Sequence, residues 1–436
     1  MKPLKVAMLG CGVVGTEVAA RILGNAADLE ARVGAPLEIS AVAVRDAGKE
    51  RPGIPSELLT TDTAAAIEGA DIVVELMGGH EPARELILTA LRSGASVVTA
   101  NKALLASDYA ELLAAAEDAG VRLEHEAAVA GAIPIIRPVV NSLAGDRITR
   151  VLGIVNGTTN YILDQMEKEG WDFDHALATA QELGYAEADP TADIGGHDAA
   201  AKAAILASLA FHTRVSIDDV HVEGITGVTA DMVETASAQG FTIKLLAICE
   251  TLEDSPAGPG VSARVYPALL PKDHALASVG GAFNAVFVEA EAAGSLMFYG
   301  QGAGGAPTAS AVLGDIVSTA RRKVLGGTGQ ARRSVGSRLP VLPISAIRTR
   351  YQITFDVFDR PGVLAQISQV FAEEGTSIEL MQQTQLEPTD DDAPQRAKLV
   401  IATHSGTDAA LAKTVERAVA LDAVNELKSV LRIEGH

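Results

Sequence analysis

Cysteine is scarce in this chain, with two residues, Cys11 and Cys249, in 436. Two cysteines so far apart give neither a disulfide framework nor the clustered spacing of a structural zinc site, and a reducing, cytoplasmic setting is expected. Aromatic residues make up only 4% of the composition, so the 48% of hydrophobic residues are mostly aliphatic. Basic side chains are outnumbered, 35 against 56 acidic ones, for a net charge of −21. Such a balance disfavours nucleic acid and anionic membrane surfaces as partners. No apolar run reaches the roughly 18 residues of a membrane-spanning helix, and the opening MKPLKVAMLGCG breaks into glycine too soon for a signal peptide. Glycine, by contrast, is plentiful at 41 residues. The length exceeds what one core usually holds, so two or three domains of a soluble α/β protein are expected.

Residues 4–9 read as a buried strand, followed at once by GCGVVG and a helical run over 16–23. In that context Gly10 makes the tight turn and Gly12 lets backbone N–H groups approach a pyrophosphate. Gly15 lets the helix close on the strand. Further strands at 38–44, 71–76, 95–99 and 121–124 alternate with helices at 81–93 and 107–119, which predicts a doubly wound parallel sheet over residues 1–146. Strand 38–44 ends in Arg45-Asp46. An acid there suits the ribose hydroxyls of NAD and an arginine suits a 2′-phosphate, so the reading is NADP with NAD as the alternative. Lys49 and Arg51 just beyond read equally well as exposed loop charges. Two stretches sit at other strand ends, where such a sheet has its ligand crevice. One is TANK, with Asn101 and Lys102; the other is EAAVAGAIP, in which Glu126 precedes small residues able to present carbonyls to a monovalent cation.

Beyond residue 147 a strand over 150–155 meets NGTTNYIL, where Asn156, Thr158 and Thr159 can cap a helix reaching about 169 or line a pocket. Residues 180–202 then concentrate Glu182, Glu187, Asp189, Asp193 and Asp198 around Pro190 and the pair Gly195-Gly196. Neither proline nor paired glycine belongs in a helix interior, so the prediction is helix, long acidic loop, and a second helix starting near His197. Asp198 and Lys202, four apart, share one face of that helix. An isolated pair of this kind is usually a solvated ion pair; a pocket is the alternative.

The spacing over Ala180, Gly184, Tyr185, Asp189, Pro190, Asp193, Ile194, Gly196, Asp198 and Lys202 resembles the signature of homoserine dehydrogenases. GCGVVG, TANK, EAAVAG, NGTTNYIL and GQGAGGAPTASAVLGD resemble that family in the same order, over roughly residues 1–325; Ala130 and Ala132 depart from it where glycine is expected. The resemblance implies NAD(P)-dependent interconversion of L-homoserine and L-aspartate 4-semialdehyde. By similarity, Lys202 donates the proton, kept charged by the surrounding carboxylates, and Lys102 helps to hold the substrate. Glu187 and Asp198 receive the substrate ammonium, Asp193 orients the lysines, and Thr158 and Tyr185 line the substrate site. Gly10, Gly12, Val13, Val14, Gly15, Arg45, Lys102, Gly184, Gly302 and Gly304 are expected at the cofactor, and Glu126, Val129, Gly131 and Ile133 at a sodium ion, two or three of them through carbonyls.

Strand-like runs at 241–250, 261–270 and 284–300 predict a mixed sheet closing a substrate domain over 147–304. A glycine turn and a helix at about 305–325 are expected to return to the nucleotide domain. Residues 326–348 read as a linker, and 349–436 follow the order βαββαβ of a ferredoxin-like fold. DRPGVL at 359–364 resembles the entry of ACT domains, with Thr376-Ser377 where asparagine is common. An amino-acid effector is therefore expected, threonine first, with a purely dimerising tail as the alternative; the acidic run at 390–392 reads as a solvated loop. A homodimer or homotetramer without an upstream aspartokinase module is expected. The rival readings are another dehydrogenase with an ACT tail and a catalytically silent amino-acid sensor.

Overall fold

The computed structural model describes residues 1–327, 339–387 and 394–435. Residues 328–338 of the expected linker and the acidic run at 390–392 lie outside them. Two compact units divide the chain: Met1–Gly157, Asp198–Val220 and the described part of Ala282–Arg338 form the first, and Thr158–His197, His221–Gly281 and the described part of Leu339–His436 the second.

The first unit is built on a six-stranded parallel sheet. Its strands are β1 (Leu4–Leu9), β2 (Leu37–Ala43), β3 (Leu59–Thr60), β4 (Ile72–Glu75), β5 (Ser96–Thr99) and β6 (Leu123–Glu124), in the spatial order β3-β2-β1-β4-β5-β6. The order reverses between β1 and β4, which places the crevice of a doubly wound sheet at their carboxyl ends. Val6 to Leu9 and Ile72 to Val74 are fully buried, as strands covered on both faces require. The helix Gly305–Val324 contributes Ala309, Val312, Ile316 and Ala320 to the same core as Val6, Val18, Ile22 and Val74. The helix expected over 107–119 runs from Lys102 to Asp118 instead, because the Asn101 side chain accepts the Leu104 N–H at 3.2 Å and caps it five residues earlier.

Also in this unit, strand Ile148–Ile154 pairs antiparallel with Phe283–Ala290, which forms a hairpin with Gly294–Gln301. The run read as one strand over 284–300 is thus broken at Glu291–Ala293. There the Asp146 carboxylate accepts the N–H groups of Ala292 and Ala293 at 3.0 and 2.7 Å. The alanine-rich helix His197–Ala210 is buried along almost its whole length.

In the second unit, helix Phe173–Glu182 starts on an Asp172 cap, and a short helical turn, Thr191–Ile194, interrupts the acidic stretch read as plain loop. Strands Phe241–Leu252 and Gly260–Pro271 pair antiparallel. The C-terminal elements follow the expected βαββαβ order: Arg348–Phe358, Val363–Glu373, Ile378–Gln385, Arg396–Thr403, Asp408–Val419 and Val424–Ile433. Strand Val424–Ile433 pairs with Arg348–Phe358 on one side and runs parallel to Gly260–Pro271 on the other, through Ala268–Arg432 and Leu269–Ile433. A buried polar cluster marks this junction. Arg264 meets Glu250 at 2.8 Å and the Tyr266 hydroxyl at 2.9 Å, and that hydroxyl donates to Glu434 at 2.6 Å. No helix among the described residues is long and apolar enough to cross a membrane.

Candidate active site

Asp198 lies in the first turn of helix His197–Ala210, and Lys202 one turn further on the same face, both nearly buried. The Lys202 ammonium donates to one Asp198 oxygen at 2.7 Å and to the Val155 carbonyl at 2.6 Å. The Asn156 amide donates to the same oxygen at 2.9 Å, and Lys102, at the start of its own helix, contacts the other oxygen. Burial by itself would raise the Asp198 carboxyl; the charges of Lys202 and then Lys102 outweigh it and drive the group well below the usual carboxylate range. Two cations and one anion therefore share this spot. The Lys102 side chain is 48% exposed against 10% for Lys202, so one lysine faces solvent and the other is held inside.

At the carboxyl end of β1 the glycine turn has the shape its sequence calls for. Gly10 has φ +101°, and a Cβ on it would stand 2.7 Å from the Leu76 carbonyl; one on Gly15 would stand 2.5 Å from the Gly10 carbonyl. A Cβ on Gly12 meets nothing within 4 Å, so the helix Val13–Gly24 opens toward free space with no side-chain cap, and Val13 is exposed beside it. An uncapped, open helix start with glycine at its entry suits a pyrophosphate. Arg51 is consumed by the chain, donating to the carbonyls of Lys49, Asp46 and Cys11 at 2.8, 3.1 and 3.4 Å. Arg45 is exposed, without an ion-pair or hydrogen-bond partner among the described residues. Gly302 and Gly304 precede helix Gly305–Val324; a Cβ on Gly302 would run into the Asn284 side chain, and Gly304 has φ +112°.

Glu126 is buried, and both its oxygens are occupied: Ile136 N–H at 2.8 Å, Arg137 N–H at 2.9 Å and Arg137 Nε at 2.8 Å. Its own N–H donates to Asp315 at 2.8 Å. Burial foremost, then the Glu124 carboxylate, push Asp315 well above the usual range, against the pull of Arg137. The main-chain carbonyls of Val129, Gly131 and Ile133 accept no hydrogen bond among the described residues, though all three residues are buried. Ala130 and Gly131 both have φ +56°, and a Cβ on Gly131 would collide with the Gly302 carbonyl. Buried residues whose carbonyls accept no hydrogen bond among the described residues, in a loop with two positive φ values, fit a hard monovalent cation; the Glu126 carboxylate is already engaged by Ile136 and Arg137.

In the second unit the Thr158 hydroxyl donates to the Tyr185 carbonyl at 2.6 Å, and the Tyr185 ring lies 5.0 Å from that of Tyr161. Gly184 follows helix Phe173–Glu182 with φ +75°. Glu187 is exposed and Asp193 half-buried, in the turn Thr191–Ile194.

Comparison with known proteins decides among dehydrogenases. A family model described as homoserine dehydrogenase matches residues 134–317, its NAD-binding domain matches 10–126, and an ACT domain matches 351–423. The homoserine dehydrogenase of Mycobacterium tuberculosis is 57% identical over 100% of this chain and 98% of its own length; that of Corynebacterium glutamicum is 54% identical over 98% and 95%. The chain belongs to the homoserine dehydrogenase family. The crystal structure of a homoserine dehydrogenase from Thiobacillus denitrificans superimposes with a TM-score of 0.91 at 38% identity, covering 99% of this chain and 98% of that one. A hyperthermophilic archaeal homoserine dehydrogenase in complex with NADPH gives 0.61 at 27% identity, over 73% and 98%.

As a homoserine dehydrogenase the chain is an oxidoreductase with a nicotinamide-dinucleotide-binding domain and a C-terminal ACT domain. Of the residues singled out in the sequence, the fold gathers Lys102, Asp198 and Lys202 into one cluster and Gly10, Gly12, Val13 and Gly15 into one turn. Thr158 and Tyr185 meet each other in the second unit. The Val155 carbonyl at Lys202 escaped sequence reasoning, since a backbone acceptor carries no residue signature. Asn156 was visible as a polar residue at a strand end, and its bond to Asp198 gives it a definite partner.

Proposed function

We propose that this enzyme reduces L-aspartate 4-semialdehyde to L-homoserine, reversibly, in the biosynthesis of threonine and methionine. The observation that carries the chemistry is the single carboxylate of Asp198 shared by Lys202 and Lys102. A bound reduced nicotinamide supplies a hydride to the aldehyde carbon. As the carbonyl electron pair moves onto oxygen, Lys202 gives that oxygen a proton from Nζ, and Asp198 and the Val155 carbonyl hold the lysine in place. Lys102, more exposed, leaves Asp198 to meet the substrate carboxylate, and the substrate ammonium takes its place beside Asp198, so the local charge is conserved. On resemblance, Glu187, Asp193, Thr158 and Tyr185 are assigned to the substrate as well.

NADPH is the proposed hydride source, with NADH as the alternative. Arg45, just past β2 and without a partner among the described residues, and the NADPH held by the archaeal relative support this order. Sodium is proposed at the carbonyls of Val129, Gly131 and Ile133, with the Glu126 carboxylate shaping the loop. The ACT domain is proposed to take an amino acid, threonine first, in a cytoplasmic homodimer or homotetramer. The test is nicotinamide absorbance with L-homoserine and either cofactor, with and without threonine, on wild type and Lys202→Ala. No turnover with either cofactor sinks the reaction, full activity of Lys202→Ala sinks the proton transfer, and an unchanged rate with threonine sinks the effector.

A further inference from the structure

Glu75 is the last residue of β4, at the crevice end of the parallel sheet, and it is fully buried. One of its oxygens accepts the N–H groups of Met77 and Gly78 at 2.8 and 3.1 Å. The other accepts the hydroxyl of Thr99, the last residue of β5, at 2.6 Å. All three neighbours are donors, as an anion requires. The carboxylate therefore sits between the ends of two paired strands, under the turn that follows β4. That turn forms part of the crevice wall, since a Cβ on Gly10 would stand 2.7 Å from the Leu76 carbonyl and 3.0 Å from the Met77 nitrogen.

Glu75 differs from the other buried acids in having no cation. Glu126, Asp164, Asp198, Asp315, Asp356, Asp408 and Glu434 each have a lysine or arginine nitrogen at 3.8 Å or less. Glu75 has no ion-pair partner among the described residues. A buried, unpaired charge is costly, and hydrogen bonds offset only part of that cost. A glutamine could accept the same two N–H groups and meet Thr99 with no charge to bury. The charge itself therefore calls for a use.

We infer that Glu75 places a negative charge beneath the nicotinamide half of the cofactor site, where it favours the oxidised, cationic ring over the reduced, neutral one. In a doubly wound sheet the residues that read the adenosine ribose follow β2, so the second mononucleotide lies over β4, β5 and β6. Hydride transfer takes a hydrogen and both electrons of its C–H bond from the ring to the substrate carbonyl carbon, and it leaves one positive charge on the ring. Thr99 also accepts the Asn101 N–H at 3.0 Å, one residue before Lys102. Lys102, Lys202 and Asp198 together carry a net positive charge, the wrong sign for such a ring. Glu75 supplies the opposite sign from a point where solvent screens little. Its effect on the ring acts through space, because the turn covers it. The inference rests on the proposed dinucleotide site and is independent of the substrate and of the choice between NAD and NADP.

The test measures dissociation constants of the oxidised and reduced dinucleotides on the full chain, by calorimetry and by cofactor fluorescence, with ADP-ribose, which lacks the ring, alongside. The readout is the ratio of the two constants. Glu75→Gln is expected to shift it about tenfold in favour of the reduced form, the scale of one charge acting through a poorly screened interior, and to leave ADP-ribose nearly unchanged. A disturbed turn would weaken both forms alike and leave the ratio where it was. Glu75→Gln combined with Thr99→Asp returns a carboxylate to the same spot and should restore the ratio. Glu75→Gln combined with Thr99→Asn has the same shape without the charge and should not. These two double variants also decide the matter if the single variant fails to fold. An unchanged ratio in Glu75→Gln, or equal ratios in the two double variants, overturns the inference while leaving the dinucleotide site standing. A wild type that binds none of the three ligands overturns the site, and the inference with it.

Discussion

Lys202 binds Asp198 from one turn along the same helix at 2.7 Å, while Lys102 reaches the other oxygen of that carboxylate from a different helix. The arrangement gives the lysines different duties. Lys202→Ala is expected to lower kcat by about 10²–10⁴-fold, the usual contribution of a positioned acid, with a smaller change in KM. Lys102→Ala is expected to raise KM more than it lowers kcat. Steady-state kinetics on both variants checks the division, and equal effects on kcat speak against it.

Asp198→Asn removes the anion between the two ammonium groups. A loss of about 3 kcal/mol is expected, the scale of a broken buried pair. Because the folded carboxyl is held below its unfolded value near 3.9, its contribution is complete above that value and fades as pH falls through the folded one. Urea unfolding at pH 7 and at about pH 2 reads this out: the gap between wild type and variant narrows in strong acid. A gap that widens contradicts the assignment.

Asp315 carries the opposite sign. Its carboxyl is raised by burial and by Glu124, so whatever stability it lends is present below the unfolded value and lost as pH rises through the folded one. Asp315→Asn keeps an acceptor for the Glu126 N–H without the charge. Its stability relative to wild type should improve from pH 5 to pH 9. A flat or declining difference across that range counts against the raised carboxyl.

The glycine turn separates binding from folding. Gly12→Ala adds a methyl group where nothing stands within 4 Å, so the fold should survive and dinucleotide affinity should fall. Gly15→Ala drives a carbon to 2.5 Å from the Gly10 carbonyl and should lower stability as well. Thermal melts and fluorescence titration with the reduced cofactor distinguish them. Unchanged affinity in Gly12→Ala removes that residue from the site.

At the junction of Gly260–Pro271 with Val424–Ile433, Glu434→Ala leaves the Tyr266 hydroxyl and the buried guanidinium of Arg264 short of a partner. About 3 kcal/mol of stability should be lost, and Arg264→Met added to Glu434→Leu should recover part of it. Chemical denaturation of the two variants decides the matter. The same junction makes deletion of residues 349–436 a poor test of the ACT domain, since it would strip a paired strand from the sheet.

The sequence made visible whatever depends on neighbours in the chain. The Gly10–Gly15 turn, the helix starting at His197 and the βαββαβ tail all follow from local chemistry. The helix start at Lys102 was missed by five residues although Asn101 is a good cap, because the apolar periodicity is clearer further along. The broken strand at Glu291–Ala293 depends on Asp146, far away in sequence, and the turn Thr191–Ile194 is too short to carry a pattern. Contacts between distant segments were hidden for the same reason. Nothing in TANK names Asp198 as the partner of Lys102, and nothing in the C-terminal strand names Gly260–Pro271.

The nucleotide-binding core also carries a timetable. Val6, Val18, Ile22 and Val74 are packed by Ala309, Val312, Ile316 and Ala320 of helix Gly305–Val324. A ribosome adding about 5–20 residues per second needs on the order of ten seconds or more to travel from β6 to that helix. Through that interval the apolar side of the newborn sheet lacks its cover. Chaperones that shield aliphatic surface should therefore engage this nascent chain during that window, and release it once residue 324 has left the exit tunnel.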